Sequence, residues 1–542
     1  MAAKEPNIAW RSFFLLVIAA LALAGNFRFP LLESRPMHAD EAILAVKYVD
    51  FWKTGVFQYD NKDYHGPGLH NLTRAFGWIA RWSHPDELTD AKLRLVVAVC
   101  SMMLILLTVL AADGLGRLGT ALAMLFMAVS PMNVYYSRYF IMEVPLVFWV
   151  SVCLFSCWRY TQSQNPKWLV LAGAALGFQH ATKETFILNA GAAVCGWIAA
   201  KVMCGGFSGR PTNRLSLSSA RRGVSRPWVW VLVPALIVSV ALFSSGFKNW
   251  QAVKDSATTF GHYFTRSEGS GHEKPWHYYF TLIFWRKDGL VWTEAMIGGL
   301  ALVGMLNAFL GAHRNTARQA FLVFLSIYSL ALLTVYSLIS YKTPWSILGA
   351  QYGLTLLAGA GGAVIWHWLE SRITRGIYCA LMIAGVWHLC IQSGRAIHDY
   401  RADPRTPYVY SHTSTNLLEA VGRVQQLEKL RPGAFTVQVI NRDYGWPLPW
   451  YLRKLPHAGY QPVTPDQLDA SVIIADIDKR ADVEAKLAGR VYESSSIYGL
   501  RPNVMLVMFI EQGLWDQFKT QHIDPGPSKA AAAGATKVRM HE

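Results

Sequence analysis

Charge is scarce in this sequence. Only 16% of the 542 residues are Asp, Glu, Lys or Arg, while 52% are hydrophobic. That balance is foreign to soluble enzymes. With 21 Trp, 23 Tyr and 26 Phe, it suits a polytopic membrane protein with aromatics at its interfaces. Cysteine is sparse too. Cys100, Cys153, Cys157, Cys195, Cys204, Cys379 and Cys390 lie in or beside apolar segments, and none forms a CxxC pair. The disulfide framework of a small secreted domain is thereby excluded, and the thiols read as small buried hydrophobes. No phosphate loop and no Gly-rich dinucleotide turn is present, which disfavours a nucleotide-driven pump. No internal repeat stands out. Acid is short relative to base, giving a net charge of +16. No basic stripe on a soluble domain accompanies that excess, so nucleic acid is not the partner. Much of it sits in short loops between apolar segments, as with Arg210, Arg214, Arg221, Arg222 and Arg226. Such a pattern reports membrane orientation.

What the sequence does have is a series of apolar segments. The first spans 9–27; the others lie near 93–111, 117–133, 143–160, 167–181, 185–204, 228–246, 290–311, 319–339, 346–366 and 376–393. The expected fold is an α-helical polytopic membrane protein of about 11 transmembrane helices. Several segments fall short of a full span, and those near 117–133 and 167–181 are expected to be tilted, broken or packed inside the bundle. Lys4 and Arg11 flank the first segment, and Ala22-Leu23-Ala24 offers a signal-peptidase alternative. Either way residue 28 lies outside. With a cytoplasmic N-terminus, the inside loops collect Arg117, Arg159, Lys167, the five-arginine loop 205–226, Arg314, Arg318, Arg372 and Arg375, in agreement with the positive-inside rule. The organisation expected is a membrane domain over 1–394 with a long outer loop over 28–92. An extracytoplasmic α/β domain over 395–525 and a disordered tail over 526–542 follow. In that outer domain Phe435–Asn441 and Val472–Ile477 read as buried strands, Leu417–Leu430 and Lys479–Leu487 as helices.

The unusual polar groups all fall in outside loops. The acidic pair Asp40-Glu41 follows the first segment and leads into the amphipathic stretch Ala42–Trp52. A helix N-cap is the plain alternative for such a pair. Tyr135-Tyr136-Ser137-Arg138 precedes Glu143, which could simply cap the next helix. Lys183-Glu184 follows His180 and could be only a structural ion pair. Gly271 to Tyr279 carries His272, Glu273, Lys274 and His277, and Tyr336 to Trp345 carries Tyr341 and Lys342. Lysine or arginine beside aromatics in three outer loops suggests a cationic pocket for a phosphate, walled at headgroup depth. A zinc protease is excluded. His272 and His277 are five apart with Pro275 between them, and His65 and His70 miss the required spacing as well. Asp443, Tyr444, Trp446, Trp450 and Arg453 in the outer domain either guide an acceptor or form a packing edge.

Several stretches resemble a known family. They are HADEA at 38–42, YHGPGLH at 64–70, SPMNVYYSRYFIMEVP at 130–145, ATKET at 181–185, GHEKPWHYY at 271–279, YSLISYKTPW at 336–345 and WPLPWYLR at 446–453. In this order they are similar to membrane glycosyltransferases of the C-type fold. More narrowly, they resemble the dolichyl-phosphate-mannose–protein mannosyltransferase-like proteins of bacteria and archaea, including flippase-activity-associated members. The resemblance implies a polyprenyl-phosphate-linked sugar donor and transfer at the outer face of a bacterial inner membrane. It implies Asp40 as catalytic base, with Glu41 beside it and Glu143 supporting the acceptor or the base. Related lipid A aminoarabinose transferases carry a Lys-Pro-Pro element in the first loop. Here His65-Gly66-Pro67-Gly68 stands instead, so Arg138, Lys183 and Lys342 are expected to supply the charge for the donor phosphate. His65, Tyr136, His272, Lys274, Tyr341 and Trp345 are the expected cavity residues. Chemistry agrees with the resemblance. A carboxylate takes the acceptor proton, positive charge stabilises the leaving phosphate, and no general acid is demanded. The expectation is a hexosyltransferase-like enzyme working by single displacement with inversion. No cofactor is called for, although paired carboxylates could hold a divalent ion. Partners are the polyprenyl-phosphate sugar, membrane lipids and a lipid, glycan or protein acceptor. A lipid-linked sugar flippase and a non-catalytic partner in envelope-glycan assembly are the alternatives.

Overall fold

The structure is a computed structural model that describes residues 8–60, 65–207, 226–263, 272–311, 316–487, 489 and 491–522. Lys4, Arg314, most of the arginine-rich 205–226 loop and the 526–542 tail lie outside the described residues. The chain divides into two compact units: residues 1–35 with 44–410, and residues 36–43 with 411–542.

The first unit is helical. Its helices include α1 (Trp10–Arg28), α2 (Ala39–Thr54, from Leu44 onward in this unit), α3 (Gly68–Ile79), α4 (Asp90–Leu107), α5 (Arg117–Val129), α6 (Glu143–Ser163) and α7 (Lys167–Thr182). They continue with α8 (Phe186–Cys204), α9 (Pro227–Phe243), α10 (Ala295–Leu310), α11 (Ala317–Leu338), α12 (Leu348–Trp368) and α13 (Arg372–Ile397). Among the described residues, seven helical segments are long and apolar enough to cross a membrane, and α5, α9 and α10 are shorter apolar helices. This is an integral, multi-pass membrane protein. The count differs from the eleven apolar stretches of the sequence because α5, α7, α9 and α10 have 13, 16, 17 and 16 residues. A straight span needs roughly 20.

Burial separates lipid-facing helices from internal ones. Of the apolar window in Pro344–Trp368, which contains α12, 89% is buried inside the protein; for α13 the figure is 17%. The central place of α12 follows from its small residues. A Cβ on Gly361 would sit 1.9 Å from the Leu300 carbonyl oxygen of α10, and one on Gly359 would sit 2.2 Å from the Gly119 carbonyl oxygen of α5. Without side chains there, backbones meet directly, as small residues allow between membrane helices.

The second unit holds a five-stranded sheet: β1 (Val437–Ile440), β2 (Ala458–Gln461), β3 (Val472–Asp476), β4 (Tyr492–Arg501) and β5 (Val504–Glu511). The strand order is β2-β1-β3-β5-β4. β1 runs parallel to β2 and β3, while β5 is antiparallel to both β3 and β4. Alternation places Val437, Val439 and Ile474 on one face, with Leu417, Val421 and Val424 of helix Leu417–Glu428. Ile440, Ile473 and Ala475 pack on the other, with Val483 of helix Arg480–Lys486. The two strands and two helices expected between 417 and 487 are thus present, and β3 is a near-continuous apolar run because both its faces are covered. Of the aromatic edge at 443–453, Trp450 is buried with the Arg453 guanidinium 3.6 Å from its ring centre, and Asp443 pairs with Arg501.

Candidate active site

In the helical unit, Glu143 opens α6 and Lys183 directly follows α7. A carboxylate at a helix N-terminus and a cation at a C-terminus both suit the helix dipole. Both side chains are largely buried and form an ion pair, Lys183 Nζ donating to Glu143 Oε1. Burial works against the lysine's charge, but Glu143 and the hydrogen bond outweigh it and hold the pKa above the ordinary lysine value. The ammonium therefore keeps its charge through neutral pH. The pair lines a small cavity together with Thr185, Asn189, Tyr336, Trp345 and Ser346 and the apolar Leu146, Val147 and Leu348. Its lining mixes polar and apolar side chains, as a site for an amphipathic ligand would.

The segment at 65–68 packs beside the 181–185 turn. His65 Nδ1 lies 3.4 Å from Glu184 Oε2. A Cβ on Gly66 would come within 2.3 Å of the Ala181 carbonyl oxygen, and one on Gly68 within 2.3 Å of Thr182 Oγ1. The glycines let this loop close onto the turn that carries Lys183.

Two further loops pair with each other. Lys342 N–H donates to the His272 carbonyl at 3.1 Å, and Lys274 N–H to the Ser340 carbonyl at 3.1 Å. The Lys342 side chain is buried and its Nζ donates to the carbonyls of Lys274 (3.1 Å) and Ile339; burial lowers its pKa. His272 is hydrogen-bonded to Tyr410 and lies beside the Tyr341 ring. Trp345 packs against Tyr136, Tyr139 and Tyr410, and Tyr136 Oη donates to the Tyr408 carbonyl at 2.8 Å. Trp345 is the member of this aromatic cluster that reaches the cavity.

Arg138 stands in a different environment. Its guanidinium donates to the carbonyls of Phe27, Arg28 and Leu31, closing the C-terminal end of α1. Burial, reinforced by Arg35 and Arg94, lowers its pKa to about 9. Asp40 and Glu41 belong to the second unit. His38 N–H donates to Glu41 Oε2 at 3.0 Å, the return half of a capping box. Glu41 is fully buried, whereas the Asp40 side chain is 51% exposed. Among the described residues, no group of three or more His, Cys, Asp or Glu side chains is arranged to hold a metal ion.

Sequence reasoning passed over Asn189 and Ser346, which are uncharged, and Glu294. The last is a fully buried carboxylate accepting from Ser130 Oγ (2.6 Å), Met132 N–H (2.9 Å), Gln351 Nε2 (2.7 Å) and Tyr408 Oη (3.3 Å). An acid within the apolar stretch 290–311 was the available signal.

Residues 76–204 match the family model described as dolichyl-phosphate-mannose-protein mannosyltransferase. No curated protein matches. Among solved structures, apo ArnT from Cupriavidus metallidurans is similar with a TM-score of 0.61 at 15% identity, over 93% of this chain and 99% of that one. The same ArnT bound to undecaprenyl phosphate gives a TM-score of 0.57 at 16% identity, over 94% and 99%. The Archaeoglobus fulgidus oligosaccharyltransferase tethered to an acceptor peptide gives 0.51 at 11% identity, over 90% and 73%. The shared architecture is that of the C-type membrane glycosyltransferases.

Proposed function

From a mannosyltransferase-like membrane protein with the C-type glycosyltransferase fold, we propose a polyprenyl-phosphate-dependent glycosyltransferase. It moves a hexose to an acceptor at the outer face of a bacterial inner membrane, with the N-terminus in the cytoplasm. The observation that carries this reading is the largely buried Glu143–Lys183 pair lining a cavity of mixed polar and apolar side chains. The matched family description and the undecaprenyl phosphate bound to ArnT support the donor class.

In the reaction, the Asp40 carboxylate takes the proton of the acceptor hydroxyl. The freed oxygen attacks the anomeric carbon from the side opposite the phosphate. The carbon–oxygen bond to the phosphate breaks and its electron pair leaves with the polyprenyl phosphate. Lys183, charged at neutral pH, stabilises that leaving group, and Glu143 orients the lysine until the phosphate arrives. Lys183 is preferred to Arg138 and Lys342 because backbone carbonyls occupy those two cations.

The test uses the full chain in proteoliposomes with undecaprenyl-phosphate mannose as donor and an envelope extract as acceptor. Asp40→Asn is expected to lower turnover by about 10²–10⁴-fold. Lys183→Gln is expected to weaken donor use and turnover together. Undiminished transfer by Asp40→Asn removes Asp40 from the mechanism.

A further inference from the structure

Asp40 lies early in the chain, yet residues 36–43 belong to the C-terminal unit. The way that unit holds them is specific. Met37 N–H donates to Tyr451 Oη at 2.7 Å, and Thr413 Oγ1 donates to the Met37 carbonyl at 2.6 Å. Both backbone groups of Met37 are thus held by side-chain hydroxyls, where a buried segment would ordinarily use a helix or sheet ladder. The next residue is held as well. The His38 ring stacks on His412 with centroids 5.9 Å apart and planes at 25°, and both rings are buried. His38 N–H goes to Glu41, and Asp40 N–H donates to His38 Nδ1 at 3.1 Å. Asp40 Oδ2 lies 3.6 Å from the same nitrogen.

The anchors are rooted in the domain's core. Tyr451 ends the short helix Leu448–Tyr451, whose Leu448 is buried beneath the sheet. Thr413 precedes Ser414, whose N–H donates to the Leu500 carbonyl of β4 at 3.0 Å. From sheet to Met37 and from Met37 to Asp40 there is a short run of fixed groups, ending in a half-exposed carboxylate. A base needs this combination of an immobile backbone and an accessible carboxylate, because misplacement by about 1 Å costs on the order of 10²-fold in rate.

We infer that the C-terminal unit is a clamp for the Asp40 turn, with Tyr451 and Thr413 as positioning residues that act through Asp40. This rests on the reading of Asp40 as base. Each hydroxyl can be removed with little change of shape, by Tyr451→Phe and Thr413→Val, while Thr413→Ser restores the donor.

The experiment pairs two readouts on the full-length protein. Hydrogen exchange of the peptide covering 36–43 reports the clamp directly. Turnover of undecaprenyl-phosphate mannose in proteoliposomes reports its consequence. Tyr451→Phe and Thr413→Val should exchange faster at Met37 and lose roughly tenfold or more in kcat, with KM for the donor unchanged. Thr413→Ser should recover both, and Thr413→Val should cost nothing further in an Asp40→Asn background. Unaltered exchange, or faster exchange with wild-type kcat, overturns the clamp. If Asp40→Asn itself retains full turnover, the base assignment fails instead. If Asp40→Asn is inactive while both hydroxyl variants match wild type, the clamp alone fails.

Discussion

Glu294 shows how much one side chain holds together. Its four donors come from three separate stretches of the helical unit: Ser130 and Met132 from one, Gln351 and Tyr408 from the others. Truncation strands those donors in a buried site, at about 1–3 kcal/mol each where no water replaces the acceptor. Glu294→Ala is expected to destabilise the protein by roughly 3 kcal/mol or more, read as a lowered thermal midpoint in detergent. A midpoint equal to wild type would mean the knot carries no stability. At this scale the sequence was partly legible. Glu143 and Lys183 stood out because a charge at the end of an apolar segment is conspicuous, but the sequence suggested Glu184 as the partner of Lys183, whereas the structure pairs Lys183 with Glu143 and Glu184 with His65. That Lys342 and Arg138 bond backbone carbonyls was not visible, because the carbonyls come from residues distant in the chain, 107 to 111 positions away for Arg138.

At the scale of elements, the glycines of the 65–68 loop govern approach. Gly68 begins α3, and an added Cβ would meet Thr182 Oγ1 at 2.3 Å and the Ala181 carbonyl oxygen at 2.8 Å. The hydroxyl can rotate; the backbone carbonyl cannot. Gly68→Ala should therefore push the loop from the 181–185 turn at a cost of about 1–3 kcal/mol, and turnover should fall with it. A Gly68→Ala protein with wild-type midpoint and turnover would show that the close approach is dispensable. The quoted HGPG stretch marked this loop in the sequence, but its partner could not be read there, since sequence periodicity describes an element's own face and not what covers it. The strands and helices between 417 and 487 were legible because a half-buried or doubly buried strand imposes its own apolar pattern.

At the scale of the whole molecule, orientation rests on charge. We propose that the arginines flanking the apolar segments, Arg117, Arg159, Arg372, Arg375 and those of the 205–226 sequence, mark the cytoplasmic side, as the positive-inside rule expects. A C-terminal fusion to alkaline phosphatase is then expected to be active and a fusion to green fluorescent protein dark. The opposite pair of results would reverse the topology and remove the outer face from the proposed reaction.

The sequence alone determined the membrane class, the helical segments, the α/β character of the C-terminal region and the candidate acids and lysines. All of these depend on local composition and period. The tertiary structure decided what distance along the chain conceals. Three stretches far apart in sequence, 143–147, 183–189 and 336–349, line one cavity around Glu143 and Lys183. The turn bearing Asp40, read as part of the first outer loop, clusters with residues 411–542. Hydrogen bonds between residues 376 and 414 positions apart hold that turn, and no local pattern encodes them.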